Sequence, residues 1–293
     1  MLKQRHWAFT RINLAIAVLC VFAMVGLGYA AETATLPARQ WNQENLNKIK
    51  GLPAGPLSFA VMGDNRDNPA VFGRVLKKVD GDSNLTFAIH LGDMVHKADL
   101  EQYKTFFKEV RQNLHIPLLT VIGNHELYGE RGLELYHEIF GPDYYAFQIQ
   151  QNYFIVVNDA AKEGVSQEQL RWLEAELQKS QTFKTRLVFL HTPLYDPRSG
   201  EKKPHSLQPE EAAKLLPLFK KYNVSHVFAG HIHDYYTGEW EGLPYTITGG
   251  AGAPLYGNDP KHAFYHYLKV TLSDKQVQIQ VRPLPGEASP STK

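Results

Sequence analysis

The chain has 293 residues, of which 43% are hydrophobic and 21% are charged. This composition is typical of a folded globular protein and excludes a wholly disordered one. The formal net charge is only +1, so no strongly basic surface is expected and nucleic acid is not an expected partner. The only cysteine is Cys20. The rest of the chain therefore has no disulfide, no cysteine nucleophile and no thiolate metal site.

Residues 1–30 have the pattern of a secretory signal peptide. They combine a basic start, an uncharged apolar run over residues 14–27 and small residues around Ala30, where cleavage is expected. The pattern predicts export to the periplasm or the extracellular space. The alternative is that residues 14–31 are retained as a membrane anchor, since a spanning helix needs about 20 such residues. Membrane association is expected only in that case.

The rest of the chain is predicted to form one domain. Residues 31–56 contain proline, glycine and polar residues and are interpreted as a leader segment. The domain is expected over residues 57–285, and residues 286–293 are expected to form a flexible tail. We find no internal repeat and no linker that would divide the domain.

The first half of the domain alternates predicted strands and helices. Apolar runs over residues 57–64, 85–93 and 116–126 are predicted strands, and each ends in a glycine followed by polar residues. Helical periodicity follows Asn68 and returns over residues 98–114. This alternation indicates βαβ units and a largely parallel sheet. Because sites form at the carboxyl ends of such strands, the polar residues are expected to converge at one edge.

The second half of the domain has a different order. Residues 144–159 are typical of a β-hairpin, and residues 166–169 have the pattern of a capping box that opens a helix ending near Lys179. Two further apolar runs, over residues 185–193 and 225–233, carry histidines at their ends. These runs predict two more strands that present imidazole groups.

The polar residues at the strand ends offer oxygen and imidazole groups without sulfur. The set comprises Asp64, Asp93, Asn124, His125, Glu126, His191, His231 and His233. Such donors suit hard or borderline metal ions, for example Mn, Fe, Zn or Co. A single aspartate after a strand is more often a turn or a helix cap, but its repetition with histidines at successive strand ends favours metal ligands. His231 and His233 are two residues apart in an extended segment, which favours a shared site.

The remaining histidines of the domain, apart from His96, are interpreted without a metal. His90 and His226 lie inside predicted strands and are expected to be buried structural residues. The others have no motif and are expected to be structural or exposed: His115, His137, His205, His262 and His266.

The motifs Gly-Asp, Gly-Asp, Gly-Asn-His-Glu, His and Gly-His-Ile-His occur in this order between residues 63 and 233. This arrangement resembles the calcineurin-like metallophosphoesterase family, which includes the purple acid phosphatases. The resemblance extends over about residues 57–255. It implies a four-layer α/β/β/α sandwich in which two mixed sheets are flanked by helices, whereas composition alone indicates only an α/β fold.

The resemblance also implies a site for two divalent or trivalent metal ions, such as Mn, Fe or Zn. The first metal would be held by Asp64 and His233, the second by Asn124, His191 and His231, and Asp93 would bridge both. His125 matches the family residue that lies over the phosphate, where it would stabilise charge or protonate the leaving group. Glu126 is expected to orient His125.

Arg66 departs from the family pattern. The family usually has Asp-x-His in the first motif, but this chain has Asp64-Asn65-Arg66, and arginine has no lone pair to offer a metal. Our hypothesis is that His96 supplies the missing ligand, because purple acid phosphatases have a tyrosine ligand at this spacing. Arg66 would then contact the substrate phosphate. The alternatives are that His96 is a solvent-facing loop residue, or that Asn65 is a weak ligand or phosphate contact.

The resemblance implies an exported phosphoesterase that hydrolyses small phosphomonoesters or phosphodiesters by attack of a metal-bound hydroxide. Catalytic roles are expected for His125, Arg66 and Asp93. The alternative is a catalytically weak metal-binding scaffold of the same fold. Several loop tyrosines are equally suited to line a substrate pocket or to pack against other residues: Tyr128, Tyr195, Tyr235, Tyr236 and Tyr256.

Overall fold

The computed structural model describes residues 36–52, 55–198, 205–273 and 276–286. The signal peptide or anchor predicted for residues 1–30 lies outside these residues, as does most of the predicted tail. Among the described residues, no helix is long and apolar enough to cross a membrane.

The strands in the described part of the chain form two mixed sheets. They are β1 (Leu57–Met62), β2 (Ala88–His90), β3 (Leu118–Thr120), β4 (Tyr145–Ile149), β5 (Asn152–Val156), β6 (Thr185–Phe189), β7 (His226–Ala229), β8 (Tyr235–Trp240), β9 (Leu243–Thr248), β10 (His266–Ser273) and β11 (Gln276–Pro283). The first sheet has the order β11-β10-β1-β2-β3, and the second has the order β4-β5-β6-β7-β9-β8. In each sheet the central strands that carry motif residues run parallel, β1 to β3 in one and β5 to β7 in the other.

Six α-helices accompany the strands within the described ranges. They are α1 (Trp41–Ile49), α2 (Pro69–Asp80), α3 (Leu100–Asn113), α4 (Gly132–Ile139), α5 (Gln167–Lys179) and α6 (Pro209–Lys221). Four of them, α2, α3, α5 and α6, connect parallel strands. The predicted helix after Asn68 is confirmed, and the Asn68 side chain caps it by accepting from the Val71 N–H at 3.2 Å. The capping box forms only in part. Ser166 accepts from the Gln169 N–H, but the Gln169 side chain bonds to the backbone of Asn158 instead of returning to Ser166.

The two sheets face each other across an aromatic core. Phe59 of the first sheet lies 5.6 Å from Phe154 of the second, measured between ring centroids, and both rings are fully buried. On the outer face of the first sheet, Phe72 of α2 and Phe106 of α3 both pack against the ring of His90. Helices α5 and α6 bury apolar residues against the outer face of the second sheet. The predicted sandwich of two mixed sheets flanked by helices is confirmed.

Helix α1 lies within the segment interpreted as a leader, and the sequence analysis assigned no helix there. It covers the exposed edge of β3. Trp41 Nε1 donates to the Leu118 carbonyl at 2.8 Å, and Asn42 Oδ1 accepts from the Thr120 N–H at 2.9 Å. Covering an edge strand in this way satisfies backbone groups that would otherwise remain open to pairing.

Candidate metal centre

The motif residues of both sheets converge at one edge of the sandwich. Asp64 and Asp93 follow β1 and β2 of the first sheet, while His191 and His231 follow β6 and β7 of the second. Hydrogen bonds join the two sets. The His231 N–H donates to the Asp64 carboxylate at 3.0 Å, and His191 Nδ1 lies 2.8 Å from the Leu91 carbonyl oxygen. The predicted convergence at the carboxyl ends of the strands is therefore present.

Two groups of potential metal ligands share one carboxylate. The first ligand group contains Asp64, Asp93 and His233, and the second ligand group contains Asp93, His191 and His231. Within each group the ligand atoms lie within 4.8 Å of one another. The structure thus brings His231 and His233 to the same site but into different groups. A carboxylate common to both groups is the arrangement expected of a bridging ligand in a two-metal site.

Asn124 adds an oxygen donor to the second ligand group. Its Oδ1 atom lies 3.1 Å from His191 Nε2, and its Nδ2 atom donates to the Tyr128 hydroxyl at 2.9 Å. The contact with Tyr128 directs the carbonyl oxygen of the side chain toward the site. The second group therefore has four donors of the predicted kinds.

The backbone at the strand ends adopts unusual conformations. Asp64, Asp93 and His231 have φ angles of 62°, 56° and 67°, in the left-handed region that residues other than glycine rarely adopt. Glycine is required beside them: Gly92 has a φ angle of 95°, and a Cβ atom at Gly230 would lie 2.6 Å from Asp64 Oδ2. Such strained residues persist only where surrounding contacts hold them, and they are concentrated at functional sites.

Backbone carbonyls orient the imidazole rings. His191 Nδ1 bonds to the Leu91 carbonyl and His233 Nδ1 to the Pro254 carbonyl, each at 2.8 Å. The Nε2 atoms are thereby directed into the site. His233 Nε2 lies 3.6 Å from Asp64 Oδ1 and is buried without a hydrogen-bond partner among the described residues. Metal-binding histidines typically have this second hydrogen bond, so the residues present fit divalent or trivalent ions.

The ionisable groups of the site shift the pKa values of one another. Burial raises the pKa of Asp64 well above its usual value. Burial acts in the same direction on Asp93, but the charges of His191, His125 and His231 and the hydrogen bond from the His125 N–H together outweigh it and lower the pKa of Asp93. For His191, burial favours the neutral ring, yet the nearby carboxylates raise its pKa to about 9. Without a metal, the site holds protons that a cation would displace.

His125 faces the shared carboxylate. Its Nδ1 atom lies 2.6 Å from the His96 carbonyl oxygen, and its Nε2 atom lies 3.8 Å from Asp93 Oδ2. Burial lowers the pKa of His125. The ring is therefore placed beside both ligand groups, where it can contact a phosphate held between them.

Glu126 does not orient His125 as expected. It is fully buried, and its carboxylate accepts four backbone N–H groups, those of Gly123, Asp93, Met94 and Val95, at distances between 2.8 and 3.2 Å. Burial and the charge of Asp93 raise its pKa to about 7. Glu126 thus joins the loop that carries Asp93 to the loop that carries Asn124. Sequence reasoning missed this role because the bonds go to backbone groups.

Arg66 lies inside the site, beside the first ligand group. Its Nη1 atom donates to Asp67 Oδ2 at 2.7 Å, and its Nε atom lies 3.6 Å from Asp93 Oδ2. The Nε atom is buried and has no hydrogen-bond partner among the described residues. The guanidinium group is therefore next to the shared carboxylate and has a donor available for a ligand.

His96 is not brought into either ligand group. Its side chain is 62% exposed, and its Nδ1 atom lies 3.1 Å from Asp67 Oδ2. This geometry corresponds to the alternative of a loop residue and offers no fourth donor to the first group. Asn65 is buried, and its Nδ2 atom donates to the Met94 carbonyl at 3.1 Å, so it supports the loop after Asp93.

Two residues at the edge of the site were only partly anticipated. The ring centroid of His205, which was expected to be structural or exposed, lies 5.5 Å from that of His231 and 4.9 Å from that of Tyr256. Tyr256 in turn lies 4.3 Å from His233. His205 belongs to no motif, so only its position in the folded chain identifies it as a neighbour of the site.

The other predicted residues lie beside the site, in the core or at the surface. Tyr128 lies beside His125, with ring centroids 4.7 Å apart, whereas Tyr235 and Tyr236 pack against His266 and His262. Tyr195 packs against Trp240. His90 and His226 are buried as predicted. His115 and His137 are paired with surface aspartates.

A family model described as calcineurin-like phosphoesterase matches residues 57–235. The chain belongs to the calcineurin-like phosphoesterase family. The match includes every residue of the two ligand groups, so the resemblance inferred from the motifs is confirmed.

Two of the curated relatives are named as phosphatases. The serine/threonine-protein phosphatase CPPED1 of Danio rerio is 29% identical over 192 residues, which cover 59% of this chain and 62% of the relative. The Fe(3+)-Zn(2+) purple acid phosphatase 12 of Arabidopsis thaliana is 25% identical over 271 residues, which cover 86% of this chain and 51% of the relative. The chain therefore spans less than two thirds of either relative.

A solved structure has the same fold. The purple acid phosphatase PPD1 from yellow lupin (Lupinus luteus) seeds superposes with a TM-score of 0.62 over 80% of this chain and 52% of that one, at 16% sequence identity. At this identity the likeness shows only the fold.

Proposed function

We propose that this protein is a metal-dependent phosphoesterase that hydrolyses small phosphomonoesters or phosphodiesters with the help of two metal ions. One observation carries the proposal, namely that Asp93 belongs to both ligand groups. A shared carboxylate would hold two cations close together, and such a pair stabilises the attacking and leaving oxygens of an in-line displacement at phosphorus. The family membership and the names of the two curated relatives support the same reaction class.

Asp64, Asp93 and His233 would hold one metal, and the second ligand group with Asn124 would hold the other. When bound, the two cations would supply positive charge that attracts the phosphate and lowers the pKa of a water molecule, so that hydroxide is available to attack phosphorus near neutral pH. The Nε atom of Arg66, which has no hydrogen-bond partner among the described residues, would donate to a phosphate oxygen. His125 presents Nε2 beside Asp93, where it would donate a hydrogen bond to the phosphate or a proton to the leaving group.

Phosphate release from aryl phosphomonoesters and phosphodiesters, with Mn²⁺ added, tests this proposal. Asp93→Asn should lower kcat/KM by at least about a hundredfold, since it weakens both metal positions and the electrostatic stabilisation they provide. Asp80→Asn is a matched control, because Asp80 pairs with the exposed His115 on the protein surface. Full activity of Asp93→Asn would contradict the proposal. Inactivity of the metal-loaded wild-type protein on the whole panel would do the same.

A catalytically weak metal-binding scaffold is the alternative function. The departure at Arg66 favours it, because the first ligand group has only three donors among the described carboxylates and histidines. The position of His125 beside the shared carboxylate favours catalysis. In the assay above, two bound metals without any phosphate release would favour the scaffold.

We also propose that the protein is exported, on the basis of the pattern in residues 1–30. Cell fractionation with mass spectrometry of the mature N-terminus tests this proposal. Cleavage near Ala30 and recovery outside the cytoplasm are expected. Recovery of the uncleaved chain in the membrane fraction would favour the anchor, and recovery in the cytoplasm would refute export.

A further inference from the structure

The two ligand groups are unequal. The second group combines two imidazoles, the shared carboxylate and the Asn124 oxygen, whereas the first has only Asp64, Asp93 and His233. The structure adds no fourth donor from His96, whose ring bonds to Asp67. Fewer donors predict weaker binding at the first position.

A positive charge already lies beside the first group. The two oxygens of Asp93 face different partners. Oδ1 lies 3.4 Å from His191 Nε2, on the side of the second group, whereas Oδ2 lies 3.6 Å from Arg66 Nε. The Arg66 side chain is only 16% exposed, so water screens its charge poorly. Arg66 thus partly neutralises the oxygen of Asp93 that faces away from the second group.

Asp67 holds Arg66 in this position. Its Oδ2 atom accepts from Arg66 Nη1 at 2.7 Å and lies 3.1 Å from His96 Nδ1. Asp67 has a φ angle of 68°, so the turn that presents its carboxylate is itself unusual. The guanidinium is anchored at one end, while the buried Nε donor at the other end, 3.6 Å from Asp93 Oδ2, has no hydrogen-bond partner within the described part of the chain.

We propose that Arg66 takes the place of a cation at the first position in the substrate-free protein. The second position then binds metal tightly, and the first binds it weakly until a phosphate group is present. A phosphate oxygen can accept from Arg66 and contact the metal at the same time, which relieves the repulsion between the two positive charges. This inference rests on the proposed two-metal site. It adds that metal fills the second position before the first. It also adds that phosphate and the metal at the first position strengthen the binding of each other.

Calorimetric titration of the metal-free protein with Mn²⁺ tests the proposal without measuring activity. The wild-type protein should show two binding events whose Kd values differ by at least about tenfold, as expected for a neighbouring like charge. His233→Ala should remove only the weak event, because His233 belongs only to the first group. His231→Ala should weaken the tight event.

The substitution Arg66→Gln removes the charge and should tighten the weak event by about tenfold while changing the tight event much less. Arg66→His also adds an imidazole donor to the first group and should tighten the weak event at least as much. Arg74→Gln is the matched control. Arg74 lies within α2, shortly after Arg66 in the chain, but its side chain donates to the Pro285 carbonyl. Arg74→Gln should leave both events unchanged.

A second titration with Mn²⁺ includes inorganic phosphate. Phosphate should tighten the weak event in the wild-type protein and in Arg74→Gln, and have a smaller effect in Arg66→Gln. Two equal events in the wild-type protein would overturn the inference, as would an unchanged weak event in both Arg66 variants. Binding of only one Mn²⁺ per chain by Arg66→His would also overturn it. These outcomes are separate from the proposed function, which fails only if phosphate release does not occur or does not depend on Asp93.

Discussion

At the scale of single residues, backbone conformation and buried hydrogen bonds define the site as much as the ligands do. Asp64, Asp93 and His231 all adopt left-handed conformations, which place their side chains toward one point. Glu126 holds the loop of Asp93 against the loop of Asn124 through four backbone N–H groups. A residue that belongs to neither ligand group therefore controls the geometry of those groups.

Glu126→Gln should destabilise the protein and weaken its metal binding. Glutamine keeps one acceptor oxygen but presents an NH₂ group to backbone N–H donors, so at least one buried donor loses its partner at a cost of about 1–3 kcal/mol. Urea unfolding and Mn²⁺ titration provide the measurements. Glu134→Gln, which alters an exposed pair with Arg131, should change neither quantity. Equal stability of Glu126→Gln and the wild-type protein would contradict the role assigned to Glu126.

His226 should make the stability of the protein depend on pH. Burial lowers the pKa of His226 in the folded state to about 4, compared with about 6.5 in the unfolded chain. The unfolded state therefore binds a proton first. The stabilisation is complete above about pH 6.5 and is lost as the pH falls toward 4.

His226→Gln removes this titration, and its amide can replace the contact of Nε2 with Thr246 Oγ1. Between about pH 7.5 and pH 5, the wild-type protein should lose about 2 kcal/mol more unfolding free energy than the variant. Urea denaturation at both pH values provides the measurement. His115→Gln, which replaces an exposed histidine, should keep most of the pH dependence of the unfolding free energy. Identical losses in the wild-type protein and His226→Gln would refute the prediction.

At the scale of secondary-structure elements, the site depends on helices and strands that carry no ligand. Helix α1 covers the edge of β3, the strand that leads to Asn124. Its sequence, WNQENLNKI, is mostly polar and has only a weak apolar face. The helix forms because Trp41 and Asn42 contact the edge of the sheet, which no periodic pattern in the sequence indicates.

Asn42→Ala should destabilise the protein through this helix. Asn42 is 2% exposed, and its loss leaves the buried Thr120 N–H without the Asn42 Oδ1 acceptor, whereas the Thr120 hydroxyl keeps its contact with the Tyr136 hydroxyl. A cost of about 1–3 kcal/mol in unfolding free energy is expected. Asn47→Ala tests the same substitution at an exposed position of the same helix and should have a much smaller effect. Similar losses in both variants would contradict the role assigned to the contacts of Asn42.

At the scale of the whole molecule, the metal centre connects the two sheets. Asp64 and Asp93 extend from the first sheet, whereas His191, His231 and His233 extend from the second. A metal bound by either group is coordinated by both sheets, so it should stabilise their association as well as serve catalysis.

Removal of metal should therefore lower the thermal stability of the protein. At a free Mn²⁺ concentration about 100 times Kd, binding adds about 2.7 kcal/mol to the unfolding free energy for one site. Differential scanning calorimetry with Mn²⁺ and with a chelator provides the measurement. Asp93→Asn, which disrupts both groups, should respond much less to either addition. An equal response of that variant would show that metal binds elsewhere.

The sequence by itself determined the family, the α/β class and the members of the two ligand groups. It could do so because each motif follows a buried apolar strand, and the carboxyl ends of parallel strands meet at one edge. The family resemblance also implied the grouping around Asp93, and the folded chain has the same two groups. Only the tertiary structure decided the contacts of Arg66, His96 and Glu126. These depend on left-handed loop residues and on bonds between distant segments, for which a linear pattern contains no signal.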